Sequence, residues 1–226
     1  MANILKRPGF GLMVGALALA FLASPTAAGK FPEPVRDTPR AAARDFQTAV
    51  LAGGCFWGVE AVFEGLDGVG DVVSGYAGGQ EKTAQYEMVG TGRTGHAEAV
   101  KVTYDASKIT YGQLLKVYFS VAHDPTELNR QGPDEGPQYR SAIFTANDEQ
   151  KQVAEAYIAQ LNGAKVFKNK VATTVSPLQG FFVAEPYHQN FLKLHPTYPY
   201  IVYNDLPKLA ALKKEWPELL KKAGTK

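Results

Sequence analysis

Cysteine is nearly absent: the chain of 226 residues contains one, Cys55. A lone thiol cannot close an internal disulfide, and no paired Cys or His motif has ligand spacing, so no metal site is expected. An excess of one charge is also missing. Lysine and arginine total 24 against 22 acids, a formal net charge of +2. Residues 1–28 hold Lys6 and Arg7 and no acid, so without them the body is neutral, which argues against nucleic acid or a membrane surface as partner. Long apolar runs are scarce too. The one candidate, Phe10 to Ala23, has roughly 14 residues, too short for a comfortable span. There is no internal repeat and no low-complexity segment. At 45% hydrophobic and 20% charged residues the composition is that of a globular chain with a sizeable core.

Residues 1–28 read as a secretory signal peptide. Lys6-Arg7 make a basic n-region, Phe10–Ala23 an apolar h-region, and Thr26-Ala27-Ala28 a small-residue cleavage site after Ala28. An uncleaved anchor is the alternative. Residues 29–46, with Pro32, Pro34 and Pro39, read as an irregular leader, and 47–226 as a single domain with an irregular C-terminal tail. The expected product is an exported, periplasmic monomer with no membrane contact once the signal is removed. A lone thiol kept in an oxidising compartment points to chemistry.

That thiol lies in Gly53-Gly54-Cys55-Phe56-Trp57-Gly58. Thr48–Ala52 before it has the length of a buried strand, and Val59, Val62, Phe63 and Leu66 after it fall at helical spacing. Cys55 is therefore expected at a strand-to-helix turn, where unpaired N–H groups and the helix dipole favour an anion. A thiolate, the nucleophilic form, should be easier to form there than in a free peptide. The other reading is a small buried hydrophobe; the flanking glycines, which allow close backbone approach, weigh toward a reactive thiol. Phe56 and Trp57 are expected to stand beside the sulfur as an aromatic wall.

Downstream, Val69–Tyr76 reads as a strand and Gln80–Gly95 as a polar loop holding Tyr86. Glu98, Val100, Val102 and Tyr104 alternate with Ala99, Lys101 and Thr103, which puts Glu98 on an apolar face. Either it is desolvated there, with a raised pKa that suits a proton donor, or it sits at the strand end in water. Thr110 with Gln113 resembles a capping box opening a helix that stops near His123-Asp124-Pro125. A polar loop with Asp134 precedes a strand over Tyr139–Phe144, and Asn147 with Gln150 opens a further helix. Val171–Val175 and Gly180–Ala184 are short strands. Lys208–Lys221 is helical. Interleaved strands and helices give an α/β (α+β) class. His96, His123 and His188 could each assist the cysteine as base, as in a hydrolase or acyltransferase, but none has a spacing that specifies contact. A thiol peroxidase and an exported module that binds apolar side chains also stay open.

Five motifs in order carry a resemblance: Gly54-Cys-Phe-Trp-Gly58, Gly75-Tyr-Ala-Gly-Gly79, Gly95-His-Ala-Glu-Ala99, the Asp134 loop and Gln138-Tyr-Arg-Ser141. Together they resemble the A-type peptide methionine sulfoxide reductases, from about Thr48 to Leu194. The resemblance implies a two-layer sandwich around a central mixed sheet. It implies that Cys55 attacks the sulfoxide sulfur of oxidised methionine, S epimer, and that Glu98 gives a proton to the sulfoxide oxygen. Tyr86 and Tyr139 then hydrogen-bond that oxygen, Asp134 orders the site, and Phe56 and Trp57 receive the substrate methyl group. Cys55 ends as a sulfenic acid. Many relatives resolve it with further cysteines; here one such position is Gly90 and the tail has none. Recycling then falls to an external thiol: a thioredoxin-like protein, glutathione or glutaredoxin, or dithiothreitol. No bound cofactor is implied, and the partners are oxidised proteins or peptides and that reductant.

Overall fold

The structure, a computed structural model, describes residues 31–222; the expected signal peptide lies outside them. In chain order the elements are β1 (Phe46–Gly53), α1 (Phe56–Glu64), β2 (Val69–Ala77), α2 (Tyr86–Val89), β3 (Ala97–Asp105) and α3 (Tyr111–Val117). They continue with β4 (Arg130–Gln131), β5 (Asp134–Glu135), β6 (Ser141–Thr145), α4 (Asp148–Gly163), β7 (Thr174–Pro177), β8 (Phe181–Val183), α5 (Phe191–Leu194) and α6 (Leu206–Glu215).

The main sheet runs β7-β6-β1-β3-β2-β8. β3 pairs antiparallel with β1 and β2, β6 antiparallel with β1, and β8 antiparallel with β2, while β6 and β7 are parallel. The sheet is therefore mixed. Alternation decides its faces. Val100, Val102 and Tyr104 of β3 join Leu51 of β1 and Val72 of β2 in one core with Val59, Val62 and Phe63 of α1, Leu114 of α3, Val153 of α4 and Leu212 of α6. Burying an aliphatic or aromatic side chain of this kind contributes about 1.5–3 kcal/mol. The opposite face carries Ala52, Ala77, Ala97, Ala99 and Ala142 with Val50 and Phe144, and Leu178 and Phe181 pack over them in place of a helix. Helices thus cover one side, a two-layer sandwich.

The helix ends follow local chemistry. Thr110 Oγ1 accepts the Gln113 N–H at 3.2 Å and Gln113 Oε1 accepts the Thr110 N–H at 3.0 Å, closing the expected capping box. Asn147 Oδ1 accepts the Gln150 N–H at 2.9 Å and opens α4. Four expected spans need correction. The stretch Gln80–Gly95, expected as a polar loop, contains a 3₁₀ turn at Glu81–Thr83 and the short helix α2 that carries Tyr86. The strand expected from Tyr139 begins at Ser141, because Pro137 opens a 3₁₀ turn that takes in Tyr139. The strand expected at Val171 begins at Thr174, where pairing with Ala142 starts. The last helix is Leu206–Glu215 and does not reach Lys221, since Pro217 cannot continue it.

From Phe31 to Asp45 the leader has no regular structure, yet it is tied down. The Tyr157 hydroxyl donates to the Pro32 carbonyl at 2.6 Å, and Asp37 Oδ1 accepts the Gly112 N–H of α3 at 2.6 Å.

Candidate active site

Gly54 turns the chain out of β1 with φ 88, and a Cβ there would stand 2.5 Å from Gln131 Cγ. Only glycine meets both demands. The turn delivers Cys55 to the N-cap of α1, buried at 8% exposure. One residue on, the Phe56 N–H points across to β3 and donates to Glu98 Oε2 at 3.1 Å. The start of α1 and the start of β3 are thereby joined through a carboxyl, beside the sulfur.

A cleft of about 180 Å³ opens over this junction, lined by Cys55, Phe56, Trp57, Tyr86, Glu98, Asp134, Tyr139, Tyr198 and Tyr200. The side chains singled out in the sequence come from β3, α1, α2, β5 and the Pro137 turn, and meet here. Glu98 is 3% exposed, so of its two readings the desolvated one holds. Burial pushes its carboxyl up to about 8, although the Phe56 N–H pulls the other way and Asp134 adds a smaller rise. Burial also raises the phenols, Tyr86 to about 12 and Tyr139 and Tyr200 further, so all three are neutral donors at ordinary pH. Tyr200 donates a short hydrogen bond to Asp134 Oδ2. That bond fixes the Asp134 carboxyl, which burial raises and Tyr200 partly restores.

The thiol departs from expectation. Its pKa lies well above the ordinary value, not below it. The Trp57 N–H at the helix start does favour the thiolate, but burial, then the charges of Glu98 and Asp205, outweigh it. Asp205 is fully buried, pairs with Lys208 at 3.0 Å, and sits where a Cβ on Gly58 would be 2.0 Å from its Oδ1. Gly58 is what lets this carboxylate press against α1.

The histidines are occupied otherwise. His123 Nδ1 donates to the Tyr118 carbonyl at 3.1 Å and Nε2 accepts from Ser141 Oγ at 2.7 Å, and burial lowers its pKa to about 3. His96 Nδ1 accepts the Gly79 N–H at 3.2 Å while Nε2 meets Gln80 O at 3.0 Å. His188 does reach the site, but its Nδ1 accepts the Trp57 indole N–H at 3.2 Å, so it orients the ring. Among the described residues, no group of three or more His, Cys, Asp or Glu side chains is arranged to hold a metal ion.

Trp57 is walled in by residues the sequence reading did not single out. Phe191 stacks on it at 3.8 Å and 10°, and Tyr198 and Tyr200 meet it edge-on at 6.3 and 5.9 Å. The density of aromatics between Tyr187 and Tyr203 was the available signal. Chemically, the cleft offers a sulfur nucleophile, a neutral carboxylic acid and phenol donors converging on one point, and apolar walls around it.

The family model described as peptide methionine sulfoxide reductase matches residues 47–220. A curated relative, peptide methionine sulfoxide reductase MsrA 2 of Mesorhizobium japonicum, is 62% identical over 79% of this chain and 91% of its own. Another of that name, from Synechocystis sp., is 48% identical over 94% of this chain and 98% of its own. Among solved structures, Mxr1 from Saccharomyces cerevisiae in reduced form has TM-score 0.61 at 34% identity, covering 71% of this chain and 91% of that one. Methionine sulfoxide reductase A of Corynebacterium diphtheriae has TM-score 0.58 at 32% identity, covering 75% and 84%. With the family match spanning the whole sandwich and the cleft, this chain belongs to the A-type peptide methionine sulfoxide reductases, a family of oxidoreductases.

Proposed function

We propose that the chain reduces the S epimer of methionine sulfoxide, free or in proteins, with Cys55 as nucleophile and Glu98 as acid. A sulfoxide is a poor electrophile until its oxygen is protonated or strongly hydrogen-bonded, and the charge developing there needs donors already in place. The observation that carries the reading is Glu98, buried beside Cys55 and still protonated near neutral pH. Cys55 Sγ attacks the substrate sulfur as Glu98 protonates the oxygen, with Tyr86 and Tyr139 donating to it. The attack makes an S–S bond; that bond and the substrate S–O bond then break as the hydroxyl passes to Cys55, giving methionine and a sulfenic acid, and the thiol proton replaces the one Glu98 gave. Two external thiols then restore Cys55, leaving their disulfide and water. Phe56 and Trp57 receive the substrate methyl group, and Asp134, held by Tyr200, orders the donor side.

The raised thiol fits this order of events. At rest Cys55 is protonated, and its attack is coupled to proton delivery onto the oxygen. With one cysteine in the chain, the reductant is external, a thioredoxin-like protein, glutathione or glutaredoxin, or dithiothreitol. Repair of exported proteins by a periplasmic monomer completes the proposal, supported by the basic and apolar segments of residues 1–28.

Turnover of separated S and R epimers of a methionine sulfoxide peptide, with dithiothreitol, tests it. Reduction of S alone, abolished by Cys55→Ser, is the expected result. No reduction of either epimer, or full activity in the serine variant, sinks it.

A further inference from the structure

Glu60 takes no part in the chemistry above, yet it is a carboxyl buried at 1% exposure in the middle of α1. Burial pushes it up to about 7, a cost that an apolar residue at this position would not carry. Its oxygens accept one main-chain donor, the Asn190 N–H, at 3.1 and 3.0 Å. Asn190 is left-handed, φ 56, and forms the N-cap of α5. The residue after it is Phe191, stacked on Trp57.

The residues leading into this turn are held on the same scale. His188 Nδ1 accepts the Trp57 indole N–H at 3.2 Å. The Gln189 amide exchanges two 3.0 Å bonds with the main chain of Ser74 in β2, and its nitrogen also donates to Ala184 O at 3.0 Å. The tail segment 188–191 is thus clamped residue by residue, once to β2, twice to Trp57 and once to Glu60. Glu60 and Trp57 are three positions apart, so they lie on neighbouring turns of one helix. A single rigid element therefore carries both the ring and the acceptor that places the ring's stacking partner.

We propose that Glu60 is a positioning residue for substrate binding: by holding the Asn190 N–H it keeps Phe191 flat against Trp57 and so fixes the aromatic wall of the cleft. This rests on the reading that Trp57 receives the substrate methyl group. The latch acts on binding and not on proton transfer, so its loss should appear in KM and leave kcat alone.

The experiment pairs kinetics on an S-sulfoxide peptide with acrylamide quenching of tryptophan emission in the unliganded protein. Trp216 is 2% exposed, so quenching reports mainly on half-buried Trp57. Glu60→Ala should raise KM about tenfold with kcat within about twofold, and raise the quenching constant. Glu60→Gln keeps an oxygen for the Asn190 N–H and should restore both to near wild type. Unchanged KM and quenching in Glu60→Ala, or a glutamine variant as impaired as the alanine one, overturns the proposal. Should Glu60→Ala not fold, Phe191→Ala decides: the same KM rise supports the latch and an unchanged KM overturns it. Quenching needs no turnover, so it still judges the latch if wild-type enzyme reduces neither epimer and the reaction itself is misassigned.

Discussion

The acid role proposed for Glu98 requires an uncharged carboxyl, and burial holds its pKa up at about 8 in the folded chain against an ordinary 4.5. A group raised in this way contributes stability that is whole below pH 4.5 and is lost as pH rises through about 8, because the folded state holds the proton longer. Two outcomes follow for Glu98→Gln. Turnover should fall about 100-fold or more with KM changed less than about threefold, since the amide keeps shape and the Phe56 hydrogen bond but has no proton to give. Urea denaturation should show the variant more stable than wild type at pH 8.5, by up to about 5 kcal/mol, with the gap closing near pH 4.5. Wild-type kcat should decline above pH 8; a flat profile to pH 9.5 removes Glu98 from the acid role. Trp57→Ala belongs to the same scale. It deletes the stack with Phe191 and the bond to His188, and should raise KM by about tenfold or more in steady-state assays on a peptide sulfoxide.

Helix α3 begins under two caps of different origin. One is local, the Thr110–Gln113 box. The other comes from the leader: Asp37 Oδ1 accepts the Gly112 N–H at 2.6 Å and the Thr38 N–H at 2.7 Å, while Thr110 Oγ1 donates to Oδ2. A carboxylate at a helix N-terminus, bonded to otherwise unpaired N–H groups, stabilises by about 1–2 kcal/mol. Asp37→Ala should therefore lower the free energy of unfolding by about 1–3 kcal/mol. The double variant with Thr110→Ala should cost less than the sum, because Thr110 Oγ1 serves both caps; strict additivity in denaturant titrations refutes a shared cap. The sequence showed one of these caps and not the other. A capping box spans four residues and is written in the chain as Thr-x-x-Gln, whereas Asp37 meets Thr110 across 73 positions. The same division runs through the elements. The alternation of Glu98–Tyr104 specified β3 and its faces, but the start of β6 depended on which residues β1 and β7 offered for pairing.

At the scale of the molecule, the site was legible where motif and local geometry coincide and illegible where the tail folds back. Cys55 at the end of β1 and Glu98 on the apolar face of β3 could both be read from periodicity. Phe191, Tyr198 and Tyr200 could not: the left-handed Asn190 and the π-helical turn Ile201–Asp205 that direct them have no period to detect. The thiol pKa failed for a related reason, since a helix-dipole argument sees Cys55 and α1 but not the burial of the sulfur, which is the largest cause, nor the charges of Glu98 and of Asp205 from the far end of the chain. Bringing that tail over the sulfur has a consequence for the whole catalytic cycle. Cys55 is 8% exposed at the bottom of a narrow cleft and is the chain's only cysteine, so no second thiol of its own can reach the sulfenic acid. In the absence of reductant, excess S-sulfoxide peptide should yield one methionine per chain and then stop, with Cys55 trapped by dimedone as the sulfenic adduct. In a parallel sample without dimedone, glutathione should appear as a mixed disulfide on Cys55 by mass spectrometry, and a further equivalent should release active enzyme. A burst of two methionines per chain would mean that electrons come from elsewhere in the molecule, and the single-thiol cycle would fall with it.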